Sequence, residues 1–340
     1  MSNTTMKAIQ QHLFGGPEVL RYEDAPLPVL QTGELLVRVH AVGLNPPDWY
    51  LRDGYKTLPP EWQPRVDFPL VLGTDVSGVV TRVADDVAGF AVGDAVYAMV
   101  RFPEGMAGGS RAYAEYVSVP AAQAARKPAS IDHAHAAAAP MSLLTAWQFL
   151  VEQGHAAPNP LQAGQHLPVP LKDKTVLVNG AAGGVGHFAL QIAKWQGARV
   201  IAVASGEHEA LLRELGADEF IDYTKSAPEA VVRDVDLVID AVGGPHAARF
   251  LRTIRRGGAL FPIFPLGFAG FDEAEQLGVT VSSTQVRSSG AQLAELARLL
   301  DAGTIRAVID STWPLADARL AHERAARGHI RGKIVLTVAP

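Results

Sequence analysis

The hydrophobic pattern changes texture twice along the chain. From residue 6 to about 120 the apolar positions fall in short runs that alternate with polar ones, as in "ELLVRVHAVGL" (34–44), the mark of a strand with one face buried. "DVSGVVTRV", "DAVYAMV" and "AYAEYVSVP" follow, separated by Gly73, Gly89-Phe90 and Gly93-Asp94. Short strands so closely spaced, with glycine at the turns, predict a compact, partly barrel-like β domain. Around 130 the alternation gives way to "IDHAHAAAAPMSLLTAWQFLVEQG", Ala/Leu-rich and predicted helical, with Gly154 as its stop. Residues 155–174 carry prolines at 158, 160, 168 and 170 and are predicted irregular, because proline suits neither a helix interior nor a central strand.

From 175 the apolar runs become nearly continuous. "TVLV", "RVIAVAS", "EFIDY", "DLVID", "GALFPI" and "VTVSS" read as strands buried on both faces, and "HFALQIAKWQGA", "EHEALLRELGA" and "PHAARFLRTIRRGG" read as helices between them. This is the pattern of a parallel α/β sheet. After about 283 the order is helix, strand, helix, strand, closing with "GKIVLTV".

Composition narrows the function classes. A length of 340 residues favours two domains, and 48% hydrophobic with 19% charged residues is a globular balance. A formal net charge of −5, with no Lys/Arg-rich run, argues against a nucleic-acid partner. No apolar run approaches the ~20 residues of a membrane span, so no membrane partner is expected. The absence of cysteine excludes disulfides and thiolate metal sites, and with no secretory pattern at the N-terminus the expected compartment is cytoplasmic.

The chemistry centres on "VLVNGAAGGVGHFALQIAKWQGARVIAVAS" (176–205), where Gly180, Gly183, Gly184 and Gly186 separate a strand from a helix. Such a turn lets backbone N–H groups at the helix N-terminus face a dinucleotide pyrophosphate. Ala181 takes the place of the first glycine of the fingerprint, with Gly183 and Gly186 as second and third, which implies a slightly different turn. An acid at the end of the second strand would bind a ribose 2′-OH. Ser205 stands there instead, which removes repulsion against a 2′-phosphate and favours NADP(H). Glu207 lies close by, and His208, Lys225 and Arg213 are the nearest cations. His208 reads equally well as a solvated residue at a helix start. His133 and His135 could chelate a metal but read better as exposed helix-entry residues.

"GTDVSGVV…VGDAVYAM", "AYAEYVSVP", "LLTAWQFL", "NGAAGGVG…QIAKWQGA" and "RGKIVLTV" together resemble the medium-chain dehydrogenase/reductase superfamily, and within it the zinc-independent quinone oxidoreductase branch. The resemblance spans about residues 6–338. It implies an α/β fold made of a GroES-like β-rich catalytic domain, 1–135 with 284–340, and an inserted Rossmann NADP(H)-binding domain, 136–283. Zinc-dependent relatives carry a Cys ligand where this chain has Asn45 and a Gly-His-Glu triplet where it has "GTD", with Thr74, so no metal site is expected.

The resemblance further implies that Asn45 and Thr145 lie by the nicotinamide, that Ala182, Gly183, Gly184 and Val185 form the pyrophosphate turn, and that Tyr223, with Ser205 and His208, serves the 2′-phosphate end. Val242 and Gly243 would line the nicotinamide ribose, while Arg331 and Lys333 either touch cofactor or end a solvated strand. Tyr50 is the best-placed proton or hydrogen-bond donor and shares the catalytic assignment with Asn45, with a packed aromatic as the alternative. The implied activity is NADPH-dependent reduction of a small-molecule quinone or α,β-unsaturated carbonyl by a homodimer. A zinc-free alcohol dehydrogenase-like enzyme and a non-catalytic NADPH-binding protein stay open as alternatives.

Overall fold

Glu34–Gly43 pairs antiparallel along most of its length with Asp75–Val83, and its other edge is shared between two partners. Tyr116–Pro120 takes residues 34–38 and the C-terminal strand Lys333–Thr337 takes residues 41–43. Ala95–Met99 and Ala124–Arg126 extend this sheet beyond Asp75–Val83, and Ile309–Pro314 lies parallel to Lys333–Thr337 at the opposite end. Arg21–Pro26, Thr5–Gln11 and Leu70–Val71 form a second, small sheet. The alternation read in the sequence supplies the core, in which Leu35, Val37, Val39, Val76, Val96 and Leu336 meet. This computed structural model describes residues 4–104, 111–151 and 166–338. The helix stop expected at Gly154 and the two prolines at 158 and 160 lie outside them.

The chain divides into two units, Met1–Leu144 with Arg287–Pro340, and Thr145–Val286. The second unit is a sheet of six parallel strands in the order Glu219–Asp222, Arg199–Ala204, Thr175–Asn179, Val235–Asp240, Ile254–Pro262, Thr280–Val281. This is the doubly wound Rossmann order, whose reversal point lies between the first strand, Thr175–Asn179, and the fourth, Val235–Asp240. Buried Leu177, Val203, Val238 and Leu260 fill one face, with Phe250 and Leu251 packed against them.

Two sequence expectations change here. "IDHAHAAAAPMSLLTAWQFL" is two helices, His133–Ala137 and Pro140–Leu150, because Pro140 opens the second rather than continuing the first. "PHAARFLRTIRRGG" is a 3₁₀ turn, Pro245–Thr253, that runs straight into the strand Ile254–Pro262. The spacing of Ala247, Phe250 and Leu251 suits either helix type. The strand register skips from Val235↔Ile254 to Leu237↔Ala259, so "RRGG" bulges out and Arg255 reaches Asp236 at 2.6 Å.

Candidate functional site

The glycine turn of the second unit has the geometry of an anion cradle. Gly180 adopts φ +70°, a left-handed conformation that glycine enters without strain, and its carbonyl accepts the Gly183 N–H at 2.9 Å. Gly183 caps the 12-residue helix Gly184–Trp195 and puts no side chain over its end. A β-carbon on Gly186 would lie 2.1 Å from the Gly180 oxygen and 2.8 Å from the Ala181 Cα, so the helix packs against its own turn at a distance only glycine permits. Ala181 and Ala182 are buried, and Val185 is half-buried. The first N–H groups of the helix lack intrahelical partners by construction, and with the helix dipole behind them they suit a pyrophosphate. The residues present fit a dinucleotide.

At the reversal point a buried pair, not foreseen from the sequence, holds this turn and the loop after the fourth strand. Asp240 ends its strand fully buried, and its Oδ1 accepts from Asn179 Nδ2 at 2.7 Å and from the Val242 and Gly243 N–H groups at 3.1 and 3.0 Å. Gly243 has φ +68°, and a β-carbon there would sit 2.4 Å from the Phe264 carbonyl oxygen. Val242 is 63% exposed beside Gly180. The signal was present: "TVLVN" and "DLVID" are apolar strands that each end in a polar residue at the same level of the sheet.

The end of the second strand sorts the proposed cations. Ser205 follows Arg199–Ala204, and its hydroxyl donates to Glu207 at 3.2 Å. His208 is buried rather than solvated, with Nε2 3.7 Å from Glu207. Arg213 turns away to Glu209 and to the Asp218 carbonyl. Lys225 Nζ lies 3.3 Å from Asp222, and where a Gly206 β-carbon would stand Asp222 Oδ2 comes to 2.5 Å and Lys225 Nζ to 3.9 Å, so a Lys225–Asp222 ion pair is set beside Ser205–Gly206. The Thr224 hydroxyl and Lys225 hold the Asp222 carboxyl below the usual range. Tyr223, 44% exposed, is tied to this strand end through its N–H to the Ala204 carbonyl at 3.2 Å. Thr145 is buried on Pro140–Leu150.

Asn45 is the hub of a polar centre inside the first unit. "NPPD" opens a short helix, Pro46–Arg52. Asn45 is its N-cap, the prolines take the first positions, and Asp48 Oδ2 accepts the Asn45 N–H at 2.8 Å, closing a capping box. This N-cap-Pro-Pro-acid order was legible as a helix start. The Asn45 amide is 1% exposed. Its Nδ2 donates to Asp75 at 2.9 Å, and its Oδ1 accepts from the ammonium of Lys333. Thr74 Oγ1 lies 3.4 Å from the same Nδ2. Asp75, wholly buried, also accepts the Met141 N–H at 2.9 Å.

Lys333 is therefore no solvated strand end: it is 3% exposed, with Nζ 3.8 Å from Asp75. Arg331 is exposed, with its backbone N–H donating to Asp310 at 3.0 Å. Tyr50 is half-buried, edge-on to Trp49 at 6.2 Å and tilted to Tyr55 at 5.9 Å. His133 is not an exposed helix-entry residue. It stacks on His40 at 4.4 Å and bonds Ser77 at 2.8 Å, while His135 pairs with Asp132 at 2.7 Å, so the two rings have separate partners.

A buried chain of hydrogen bonds runs from this hub. Arg52 Nη1 lies 2.8 Å from His322 Nδ1, His322 Nε2 lies 3.1 Å from the Tyr113 hydroxyl, and that hydroxyl lies 3.2 Å from Asp48 Oδ2. Arginine can only donate, so His322 Nδ1 accepts and Nε2 carries the proton. The direction then follows: His322 donates to Tyr113 and Tyr113 to Asp48. Burial sets the ionisation of the group. It lifts Asp48 to about 7 and Asp75 to about 6, the latter against the pull of Lys333. It drives His322 down to about 3 and lowers Lys333 as well.

Comparison with known proteins agrees with this architecture. A family described as alcohol dehydrogenase GroES-like domain matches residues 31–129, and one described as zinc-binding dehydrogenase matches residues 215–336. The mitochondrial NAD(P)H oxidoreductase RTN4IP1 of Mus musculus is 35% identical over 99% of this chain and 90% of its own. The quinone oxidoreductase structure from Coxiella burnetii aligns with a TM-score of 0.84 at 31% identity, over 98% of this chain and all of that one. A mycobacterial structure, Rv1454c complexed with NADPH, aligns at 0.79 and 29% identity over 98% of this chain and 99% of its own.

Proposed function

Because the chain belongs to the medium-chain dehydrogenase/reductase superfamily, in its quinone oxidoreductase-like branch, and is thereby an NAD(P)H-dependent oxidoreductase of small molecules, we propose that it reduces a quinone or an α,β-unsaturated carbonyl with NADPH and without zinc. When bound, the nicotinamide supplies a hydride. The turn Gly180–Gly186 would hold the pyrophosphate. Ser205, Tyr223 and Lys225 would serve the 2′-phosphate, in place of the acid that selects a free 2′-OH. Val242 and Gly243, held by Asp240, would line the ribose.

One observation carries the zinc-free reading. The oxygen of Asn45, at the position of a zinc-binding Cys in zinc-dependent relatives, is already bonded to a buried ammonium, that of Lys333. An isolated carbonyl taking hydride concentrates charge on one oxygen, which a Lewis acid would stabilise by several kcal/mol. A conjugated acceptor spreads that charge over an enolate or hydroquinone system and needs less help. Neutral groups suffice for it: Tyr50 is the proposed donor, and the buried Asn45 amide, its Nδ2 bonded to Asp75 and to the Gly43 carbonyl, is the proposed dipole beside the nicotinamide.

The test is NADPH and NADH oxidation by metal-analysed protein over enones, enals, quinones and saturated aldehydes. The expected result is chelator-resistant reduction of conjugated acceptors, faster with NADPH, with deuterium from labelled cofactor arriving at an enone β-carbon. Efficient zinc-dependent oxidation of simple alcohols with NAD⁺, and no turnover of conjugated acceptors, would overturn it.

The sheet edge Thr280–Val281 pairs only on its Ile254–Pro262 side among the described residues. We propose that a second copy covers this edge in a homodimer, since an uncovered edge invites uncontrolled pairing. Light scattering is expected to give twice the chain mass, and a monomer would refute it. No described helix is long and apolar enough to cross a membrane. The relative compared above is by its name mitochondrial, and it lends no support to a cytoplasmic location.

A further inference from the structure

We propose that Lys333 is a positioning residue that fixes the orientation of the Asn45 amide through a buried ammonium–amide–carboxylate bridge, rather than a residue that binds cofactor. The bridge is explicit in the geometry. Lys333 Nζ donates to Asn45 Oδ1, Asn45 Nδ2 donates to Asp75 Oδ2 at 2.9 Å, and Lys333 Nζ lies 3.8 Å from that same carboxylate oxygen. All three residues are at most 3% exposed.

The two flanking groups are chemically single-minded. An ammonium can only donate and a carboxylate can only accept, so an amide between them has one allowed orientation. Rotating it by half a turn would set N–H against N–H at Lys333 and oxygen against oxygen at Asp75. The backbone adds a third constraint, because the Asn45 N–H is held by Asp48 and Leu44 N–H donates to the Ile334 carbonyl at 3.0 Å, next to Lys333. The start of Pro46–Arg52 and the strand Lys333–Thr337 thus meet at this residue. The last strand carries the cation and the start of Pro46–Arg52 carries the amide it orients.

Lys333 is also the positive charge that balances Asp75. Removing one partner of a buried pair leaves the other uncompensated, and the remaining acid then neutralises. A protonated Asp75 could donate as well as accept, and Asn45 would lose its unique orientation. The loss would appear in turnover, because the Asn45 amide is the dipole set beside the nicotinamide in the reductase reading on which this inference rests.

The experiment compares Lys333→Met and the double variant Lys333→Met/Asp75→Asn with wild type. The double variant buries no uncompensated charge from this pair, so it guards against simple misfolding of the single one. Three readouts are taken: kcat and KM on the best acceptor, the NADPH dissociation constant by fluorescence, and the side-chain NH₂ signals of ¹⁵N-asparagine-labelled protein. The chain has four asparagines, Asn3, Asn45, Asn159 and Asn179, so these signals are assignable, and Asn179 with its Asp240 partner is an internal control.

A misplaced amide dipole should lower kcat about 30- to 100-fold in both variants. NADPH affinity should stay within about threefold, and the Asn45 NH₂ protons, slow to exchange in wild type, should exchange fast while Asn179 is unchanged. The inference is overturned if NADPH binding weakens tenfold or more with kcat intact, which would make Lys333 a cofactor contact. It is also overturned if the double variant keeps wild-type kcat, or if the Asn45 signal is unmoved. If wild type reduces no acceptor at all, the reductase reading fails, and the Asn45 exchange rates still decide whether Lys333 holds the amide.

Discussion

Gly186→Val is expected to abolish NADPH binding and to lower the melting temperature sharply, and Gly186→Ala to do the same in lesser degree. The β-carbon of either residue would meet the Gly180 carbonyl oxygen at 2.1 Å and the Ala181 Cα at 2.8 Å. Both obstacles are backbone, so no side chain can swing aside. Relief must come from moving the helix Gly184–Trp195 away from the strand end, and that opens the turn whose Gly183 N–H to Gly180 bond defines the cradle. Alanine recovers about 1 kcal/mol of helix propensity over glycine, yet forced overpacking costs roughly 1–3 kcal/mol and at times more. Overpacking should win. Valine adds two methyl groups, and the loss of affinity should be at least tenfold, about 1.4 kcal/mol. Titration of NADPH fluorescence with a thermal melt of each apo variant checks this. Wild-type affinity in Gly186→Val would show that the close approach is not what the cradle depends on.

That turn was legible because glycine there has no substitute: one constrained backbone leaves one residue type in the sequence. The strands of both units were legible for a similar reason. Period-two alternation in "ELLVRVHAVGL" and unbroken apolar runs such as "TVLV" each follow from which faces are buried. The Asn45 centre was only half legible. Asn45, Thr74 and Lys333 drew attention by position, and "NPPD" carried a helix-start signal. The partners that give the centre its chemistry were invisible, because nothing local marks them. His322 meets Tyr113 across 209 residues and Arg52 across 270, and a lone His in "LAHERAA" reads as surface. Asp240 differed, since the polar last letters of "TVLVN" and "DLVID", at one level of the sheet, did mark it. A helix start suggests exposure for His133 and leaves it open for His208, and packing buries His208 and half-buries His133.

The chain of donors ending on Asp48 leads to a second large effect. In Asp48→Asn, stability relative to wild type should rise as pH climbs from about 4 to about 7, by on the order of 3 kcal/mol, and then level off. Burial lifts the folded Asp48 carboxyl to about 7, whereas the unfolded chain titrates near the ordinary value of 3.8. Between those limits the folded state holds a proton that the unfolded state lacks, so this group contributes stability at low pH that is lost as pH rises. Asparagine has no proton to lose. Its Oδ1 can still accept the Asn45 N–H and the Tyr113 hydroxyl, as a protonated Asp48 does, so the bonds at 2.8 and 3.2 Å survive. The slope of wild type alone would mislead. Burial holds His322 at about 3 and His133 at about 4, and each of these loses stability as pH falls below 6.5, against the trend from Asp48. Both histidines, and Asp75 lifted to about 6, are common to the two chains, so denaturant melts of the pair at matched pH read chiefly the Asp48 carboxyl. Parallel curves from pH 4 to 7 would mean that Asp48 is ionised throughout. Above pH 6, where Asp75 is ionised, the polar centre would then carry two full negative charges against one lysine, instead of a neutral Lys333–Asp75 pair with a protonated acid beside it.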